Sequence, residues 1–193
     1  MAALSCDPQN KHHIMKKNVL VAAAACLPLL FTSCKKIEDA LFKPFESPLS
    51  FEVNIPVINN TTTEEAMGQT NVRYNLDSVI RKNTGDVFGS NIVGEMYISA
   101  IGIQLFDNNA GNNLSNFDYV KLSVASGGTP VVLGPYNIPA GTSSSTSFSV
   151  SNSPNIKPFF SGSNVTFSMA GKANKATTQT IRARVSATLR FEK

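Results

Sequence analysis

The stretch "TIRARVSATLRF", residues 180–191, alternates without a miss. Ile181, Ala183, Val185, Ala187, Leu189 and Phe191 take every second position, with Arg182, Arg184, Ser186, Thr188 and Arg190 between them. Side chains of a strand point to opposite faces in turn, so this segment is a strand with one buried and one wet face. Its unbroken inner row predicts a central strand, or a long and well-covered one. The same period recurs upstream. In "SFEVNIPVI" (50–58) Phe51, Val53, Ile55 and Val57 alternate, and Pro56, which has no N–H, favours a sheet edge. "EMYISAIGIQLF" (95–106) places Tyr97, Ile101, Ile103 and Leu105 on one face. "YVKLSVA" (119–125) alternates through Val120, Leu122 and Val124, "TSFSVSN" (146–152) through Phe148 and Val150, and "NVTFSMAG" (164–171) through Val165, Phe167 and Met169. "TNVRY" (70–74) and "VVLGPYNI" (131–138) add two shorter strands.

Between them lie turn segments rich in Asn, Thr, Ser and Gly. "NNTTTEE" (59–65) reads as a polar loop, and "NIKPFFSGS" (155–163) as irregular chain or one helical turn. "NLDSVIRKNTG" (75–85) reads as a short helix, with Asn75 as its cap, Asp77 at the positive end of its dipole and Gly85 closing it. Seven or eight strands, with no helix long enough for crossovers, predict an all-β fold. It is an antiparallel two-sheet β-sandwich, immunoglobulin-like in the broad sense, with one or two short helical turns. The Cys…Trp…Cys marks of true immunoglobulin domains are absent, since the chain has no Trp. A small membrane β-barrel is the rival, because the last strand also suits a lipid-facing wall.

The other informative stretch is "MKKNVLVAAAACLPLLFTSCKK", residues 15–36. Lys16 and Lys17 precede an apolar run from Val19 to Phe31, well short of the roughly 20 residues that span a bilayer. A basic front, a short apolar middle and a small-residue exit describe a secretory signal peptide. The exit "LFTSC" resembles the lipobox of bacterial lipoproteins. Phe31 stands where Leu is commoner, a variant that resembles lipoproteins of the Bacteroidota. The resemblance implies that the Ser33–Cys34 bond is cut and that Cys34 carries the lipid. Cys6 and Cys26 lie upstream, so lipidation also accounts for an otherwise odd thiol.

Four segments follow: residues 1–14, a mis-assigned start; 15–33, the signal peptide; 34–49, the lipidated cysteine and a tether; and 50–193, the sandwich. The tether opens with Lys35, Lys36, Glu38 and Asp39, which resemble the charged export stretch of surface lipoproteins. Of the 17 basic and 13 acidic groups, Lys11, Lys16, Lys17 and Asp7 precede Cys34. The remaining chain has a net charge of only +2, and no nucleic-acid partner is expected.

Both histidines, His12 and His13, precede the cut. That removes Ser–His–Asp, Cys–His and His-ligated metal chemistry from the exported chain, and no cofactor or metal is expected. "DNNAGNNLSNFD" (107–118) matches an EF-hand count at Asp107, Asn109 and Asp118. However, Gly111 and Asn112 stand where a ligand and a glycine belong, so it reads as a hairpin loop. Glu64 and Glu65 read as solvated charges, and Phe159–Phe160 as packing residues. The candidate binding face is Arg182, Arg184 and Arg190. Its ordinary role is pairing with Glu and Asp across the sheet; the alternative is an anionic glycan, lipopolysaccharide or a partner protein. The expected function is a non-enzymatic interaction, adhesion or structural accessory module at the outer membrane, in either leaflet. The alternatives are a glycan-binding lipoprotein and a carboxylate-based hydrolase.

Overall fold

The computed structural model describes residues 40–162 and 164–193. The signal segment and Cys34 lie outside them. Pro44–Lys193 forms a compact unit by itself. Its strands are β1 (Phe45–Ile55), β2 (Glu64–Arg73), β3 (Glu95–Leu105), β4 (Phe117–Ala125), β5 (Val131–Asn137), β6 (Ser145–Ser149), β7 (Asn164–Ala173) and β8 (Ile181–Glu192). Helix α1 (Leu76–Asn83) follows β2, and short 3-10 turns occur at Ser90–Ile92, Leu114–Asn116 and Lys157–Phe160.

The strands form two antiparallel four-stranded sheets, in the orders β1-β8-β3-β6 and β2-β7-β4-β5. The expected sandwich is therefore present. Its strand order is that of a jelly roll, in which consecutive strands mostly change sheets. The apolar rows face each other between the sheets, whereas a membrane barrel turns its apolar row outward to lipid.

β8 is central, flanked by β1 and β3. Ile181, Ala183, Val185, Ala187, Leu189 and Phe191 are all buried against Phe167, Met169 and Leu122 of the facing sheet's inner row. Burying one large aliphatic or aromatic side chain contributes about 1.5–3 kcal/mol, so this strand holds much of the core. Phe51 stacks on Phe167 across the core with ring centroids 4.5 Å apart. Close approach requires glycine at two places. A Cβ on Gly171 of β7 would lie 2.4 Å from the Tyr119 carbonyl oxygen. One on Gly68, at φ +115° in the β2 bulge, would lie 2.6 Å from the Asn54 carbonyl oxygen, where β1 and β2 close the corner.

Helix α1 is capped as its sequence predicts. The Asn75 Oδ1 accepts from the Ser78 N–H at 2.9 Å, and Gly85 takes φ +62° just beyond the end.

Several expectations are corrected. β1 begins at Phe45, inside the segment read as tether, because Phe45 stacks on Phe191 at 4.7 Å and extends the ladder to the end of β8. Its edge position suits Pro48 as well as Pro56. Glu64 and Glu65 open β2 rather than sitting in a loop, since Glu64 pairs with Lys172 in register and meets Lys121. In β3 a bulge between Ile98 and Ala100 resets the alternation, so Met96 and Ile98 join Ile101, Ile103 and Leu105 inside. Tyr97 then faces outward and donates to the Glu95 carboxylate. Beyond Pro56 the chain leaves the sheet: Val57 is 43% exposed and Ile58 takes the buried place. Phe148 and Val150 are half-buried, because β6 is an edge strand.

Candidate functional site

Three surfaces carry the polar chemistry. The first is the outer face of β8. Arg182 and Arg184 both lie over the Phe106 ring, each guanidinium carbon 4.8 Å from its centroid. Arg184 meets Glu52 of β1 at 3.3 Å, and Arg182 approaches Asp107 at 3.8 Å. Arg190 pairs with Glu192 at 2.8 Å. Six residues of strand, about 20 Å, separate Arg184 from Arg190, and Ser186 and Thr188 fill the interval. The three arginines share the wet face as expected. Arg182 and Arg184 converge on Phe106, Arg190 stands apart from them, and each has a carboxylate at hand.

The second surface is the end of the sandwich where β8 begins. Its loops are fastened by buried polar side chains: Asn112, Asn116 and Thr177 are each 2% exposed. The Asn112 Oδ1 accepts from the N–H groups of Thr178 (2.7 Å) and Gln179 (3.3 Å). Its Nδ2 donates to the Thr178 hydroxyl (2.8 Å) and the Asn109 carboxamide (3.1 Å). The Asn116 Nδ2 donates to the Gly111 carbonyl at 2.8 Å. Thr177 brackets Ile58, its hydroxyl accepting from the Ile58 N–H (2.8 Å) and its own N–H donating to the Ile58 carbonyl (2.9 Å). Residues 107–116, 174–180 and the turn after β1 are thereby locked together. Asn109 acts in this hairpin and Asp107 in the arginine contact. Among the described residues, no group of His, Cys, Asp and Glu could hold a metal ion.

The third surface is a cleft of about 720 Å³ beside the start of α1, lined by Asn75, Asp77, Asn91, Asn155, Lys157 and Phe160 among others. Its rear wall is the edge-to-face pair of Tyr74 and Phe160, centroids 5.1 Å apart. Arg81 at 2.7 Å and the Ser90 N–H hold the Asp77 carboxyl below its ordinary range. The Asn155 Oδ1 accepts from the N–H groups of Met96 (3.1 Å) and Lys157 (3.0 Å). Its amide donors have no partner among the described residues, and the Lys157 ammonium donates to the Val93 carbonyl. Asp77 is thus matched by Arg81, whereas the Lys157 ammonium rests on a neutral carbonyl. Burial pushes the Tyr74 phenol up to about 12; the Ser47 side chain beside it pulls the other way, but no hydrogen bond of good geometry reaches the hydroxyl. The Gly94 N–H donates to the Glu192 carbonyl at 2.9 Å, so the cleft lies at the end where β1 starts and β8 finishes.

Other carboxylates show the same pattern. Glu64 is held down by Lys121 and then Tyr119, and Asp118 by the Asn174 amide and then Lys172. Phe160 is core, as expected, and Phe159 is half-buried. Sequence reading misses the cleft and the buried asparagines, because their walls and partners come from segments far apart in the chain.

No protein-family model matches the chain, and no curated protein does. Among solved structures it is similar to the capsid asymmetric unit of cyanophage Pam1, at 14% identity over 78% of this chain and 88% of that one, with a TM-score of 0.36. It is similar also to the decameric BFDV capsid protein, at 12% identity over 78% and 99% of the two chains, TM-score 0.29. The capsid of the Helicobacter pylori bacteriophage KHP30 gives 7% identity over 77% and 94%, TM-score 0.24. At such scores, what those proteins assemble is not carried over to this chain.

Proposed function

We propose that this chain is a non-enzymatic envelope lipoprotein, held at the outer membrane by a lipid on Cys34, whose sandwich serves as an interaction, adhesion or structural accessory module. The observation that carries this reading is the difference between the two ends of the sandwich. β1 enters at the end that holds the cleft and the last residues of β8. The opposite end is capped by loops that buried amides fix in one shape. Residues 35–44 span at most about 35 Å when fully extended. A chain anchored at Cys34 therefore keeps its entry end near the membrane and offers the locked loops outward, on a rigid scaffold suited to recognition. Glu64, Asp77 and Asp118 are lowered by partners, so these three are unsuited to act as general acids, which need a raised pKa.

Two experiments test the reading. Mass spectrometry of the native protein should find acylated Cys34, and Cys34→Ser should leave an unlabelled, uncut precursor; an unmodified native Cys34 removes the localisation. Co-purification from envelope membranes should recover a partner with the unaltered chain and lose it with Asn108→Lys at the loop tip, at unchanged melting temperature. The cleft favours a second reading, binding of a neutral glycan, because the Asn155 amide donors, unpartnered among the described residues, line it beside an aromatic wall. Retention on a glycan array that Asn91→Ala abolishes would favour it.

A further inference from the structure

Each sheet of a sandwich ends in two edge strands, here β1 and β6 in one sheet and β2 and β5 in the other. An edge exposes a row of unpaired N–H and C=O groups, and proteins blunt such rows with proline, charge or bulges. Three of these edges are blunted. β1 carries Pro48, Glu46 and Glu52. β2 opens on Glu64 and Glu65 and bulges between Ala66 and Gly68. β5 contains Gly134–Pro135 and a register shift opposite Val120 and Leu122.

β6 has none of these devices; its one protection is that, at five residues, it is the shortest of the four edges. Its sequence, Ser-Thr-Ser-Phe-Ser, has no charge and no proline, and its register with β3 runs without a shift. The flanking bonds fix which groups face outward. The Leu105 N–H donates to the Ser144 carbonyl (2.7 Å), and the Val150 N–H to the Ser99 carbonyl (2.9 Å). Backbone groups alternate sides along a strand, so Thr146 and Phe148 face β3, and Ser145, Ser147 and Ser149 face away from it. All three serines are exposed. On the inner side Phe148 is only half-buried and stacks on Tyr136 of β5 at 5.2 Å, at the open seam between the sheets.

We propose that β6 pairs antiparallel with β6 of a second copy of this chain, about a two-fold axis at Ser147. The sequence is self-complementary in that register. Ser147 meets Ser147 of the second copy, and Ser145 meets its Ser149, each as a hydrogen-bonded pair that exchanges both N–H···O bonds. Thr146 then lies opposite Phe148 of the second copy and covers the ring that the edge leaves half-buried. No like charges meet across the axis, as they would at the glutamates of β1 or β2, and no proline interrupts it, as Pro135 would in β5. The two four-stranded sheets become one continuous sheet. An isologous contact of this kind closes at two copies. The inference is independent of the lipid anchor and of the loop end.

The test uses Pro44–Lys193, the compact unit, which contains no cysteine. Sedimentation over a hundredfold concentration range should show the mass doubling. Ser147→Lys, which places two ammonium groups together on the axis, should keep it monomeric with the strand signal in circular dichroism unchanged. Hydrogen-bonded pairs have Cα atoms about 5.5 Å apart, within disulfide reach. Ser147→Cys should therefore form a covalent dimer under mild oxidation at least tenfold faster than Ser145→Cys, whose counterpart is Ser149. A unit that stays monomeric throughout the range overturns the proposal, and so does a dimer that Ser147→Lys leaves intact. If Ser147→Lys unfolds the domain, the relative rates of the two cysteine variants decide, and equal rates overturn it.

Discussion

Asn112→Ala is the sharpest probe of the locked loop end. The side chain is 2% exposed and makes four hydrogen bonds, to the Thr178 and Gln179 N–H groups, the Thr178 hydroxyl and the Asn109 carboxamide. The bond to Gln179 is long at 3.3 Å and counts for little. The other three contribute on the order of 0.5–1.5 kcal/mol each, and stranding a buried donor adds to the loss. A destabilisation of about 3 kcal/mol is expected, which for a domain of this size lowers the melting temperature by roughly 6–12 °C. Urea unfolding is the assay, read as a shift in midpoint at constant slope, because a changed slope would mean a changed unfolded state.

Asn113→Ala is the control that isolates burial. Asn113 also makes four bonds, to the Asn109 and Ala110 carbonyls and to the N–H and hydroxyl of Ser115. It is only half-buried, so water replaces what the substitution removes. Its loss should stay near 1 kcal/mol, the usual cost of a cap. Hydrogen exchange at the Thr178 amide should accelerate in Asn112→Ala and stay slow in Asn113→Ala. If the two variants cost the same, hydrogen-bond number rather than burial governs this corner, and the rigid-loop argument fails.

Further outcomes test other parts of the molecule. Leu189→Ala, at a fully buried position of β8, should cost about 2–5 kcal/mol, whereas Arg190→Ala on the opposite face should stay within about 0.5 kcal/mol in urea unfolding. Tyr74→Phe should leave stability unchanged or raise it by up to about 1 kcal/mol, since no hydrogen bond of good geometry reaches the buried hydroxyl it removes; a loss would show that the neighbouring Ser47 side chain bonds it in solution. Glu64 has a folded pKa below its ordinary 4.5, so its contribution is present above that value and is lost as pH falls through the lowered one. Glu64→Gln should therefore flatten the decline of stability below pH 4.5, and an unchanged acid limb would show that the Lys121 pair contributes nothing.

Where one residue type per position carries the signal, the sequence was legible. β8, β4 and β7 alternate as written, and the α1 cap is visible in Asn75, Asp77 and Gly85. Legibility ended where one extra residue changed the parity. The β3 bulge moves Tyr97 out and Met96 in, and no side chain in "EMYISAIGIQLF" announces it. The first half of β2 was hidden for another reason: Glu64 and Glu65 read as the end of the polar loop "NNTTTEE" until Lys172 and Lys121 stand beside Glu64. The arginines' face followed from alternation alone. Their partners Glu52, Asp107 and Phe106 come from β1 and the end of β3, which periodicity cannot bring together. The cleft left no trace for the same reason, since its walls are residues 74–77, 90–94 and 155–162.

The alternation of β8 also decides how any binding role can be separated from folding. Its inner row is common to both neighbouring ladders, so an inner substitution disturbs β1 and β3 together and removes function by unfolding. Arg182, Arg184 and Arg190 sit on the other face, and each ion pair there is about half exposed, where such pairs contribute little to stability. The loop end lies between these extremes: its tips at Asn108 and Gly141 are exposed, while Asn112 and Asn116 beneath them are buried. A tip substitution therefore reports on recognition, and a substitution one layer down reports on the rigidity that recognition requires. Loss of a partner at both layers, with loss of stability only at the lower one, is the pattern that a preorganised interaction surface must produce.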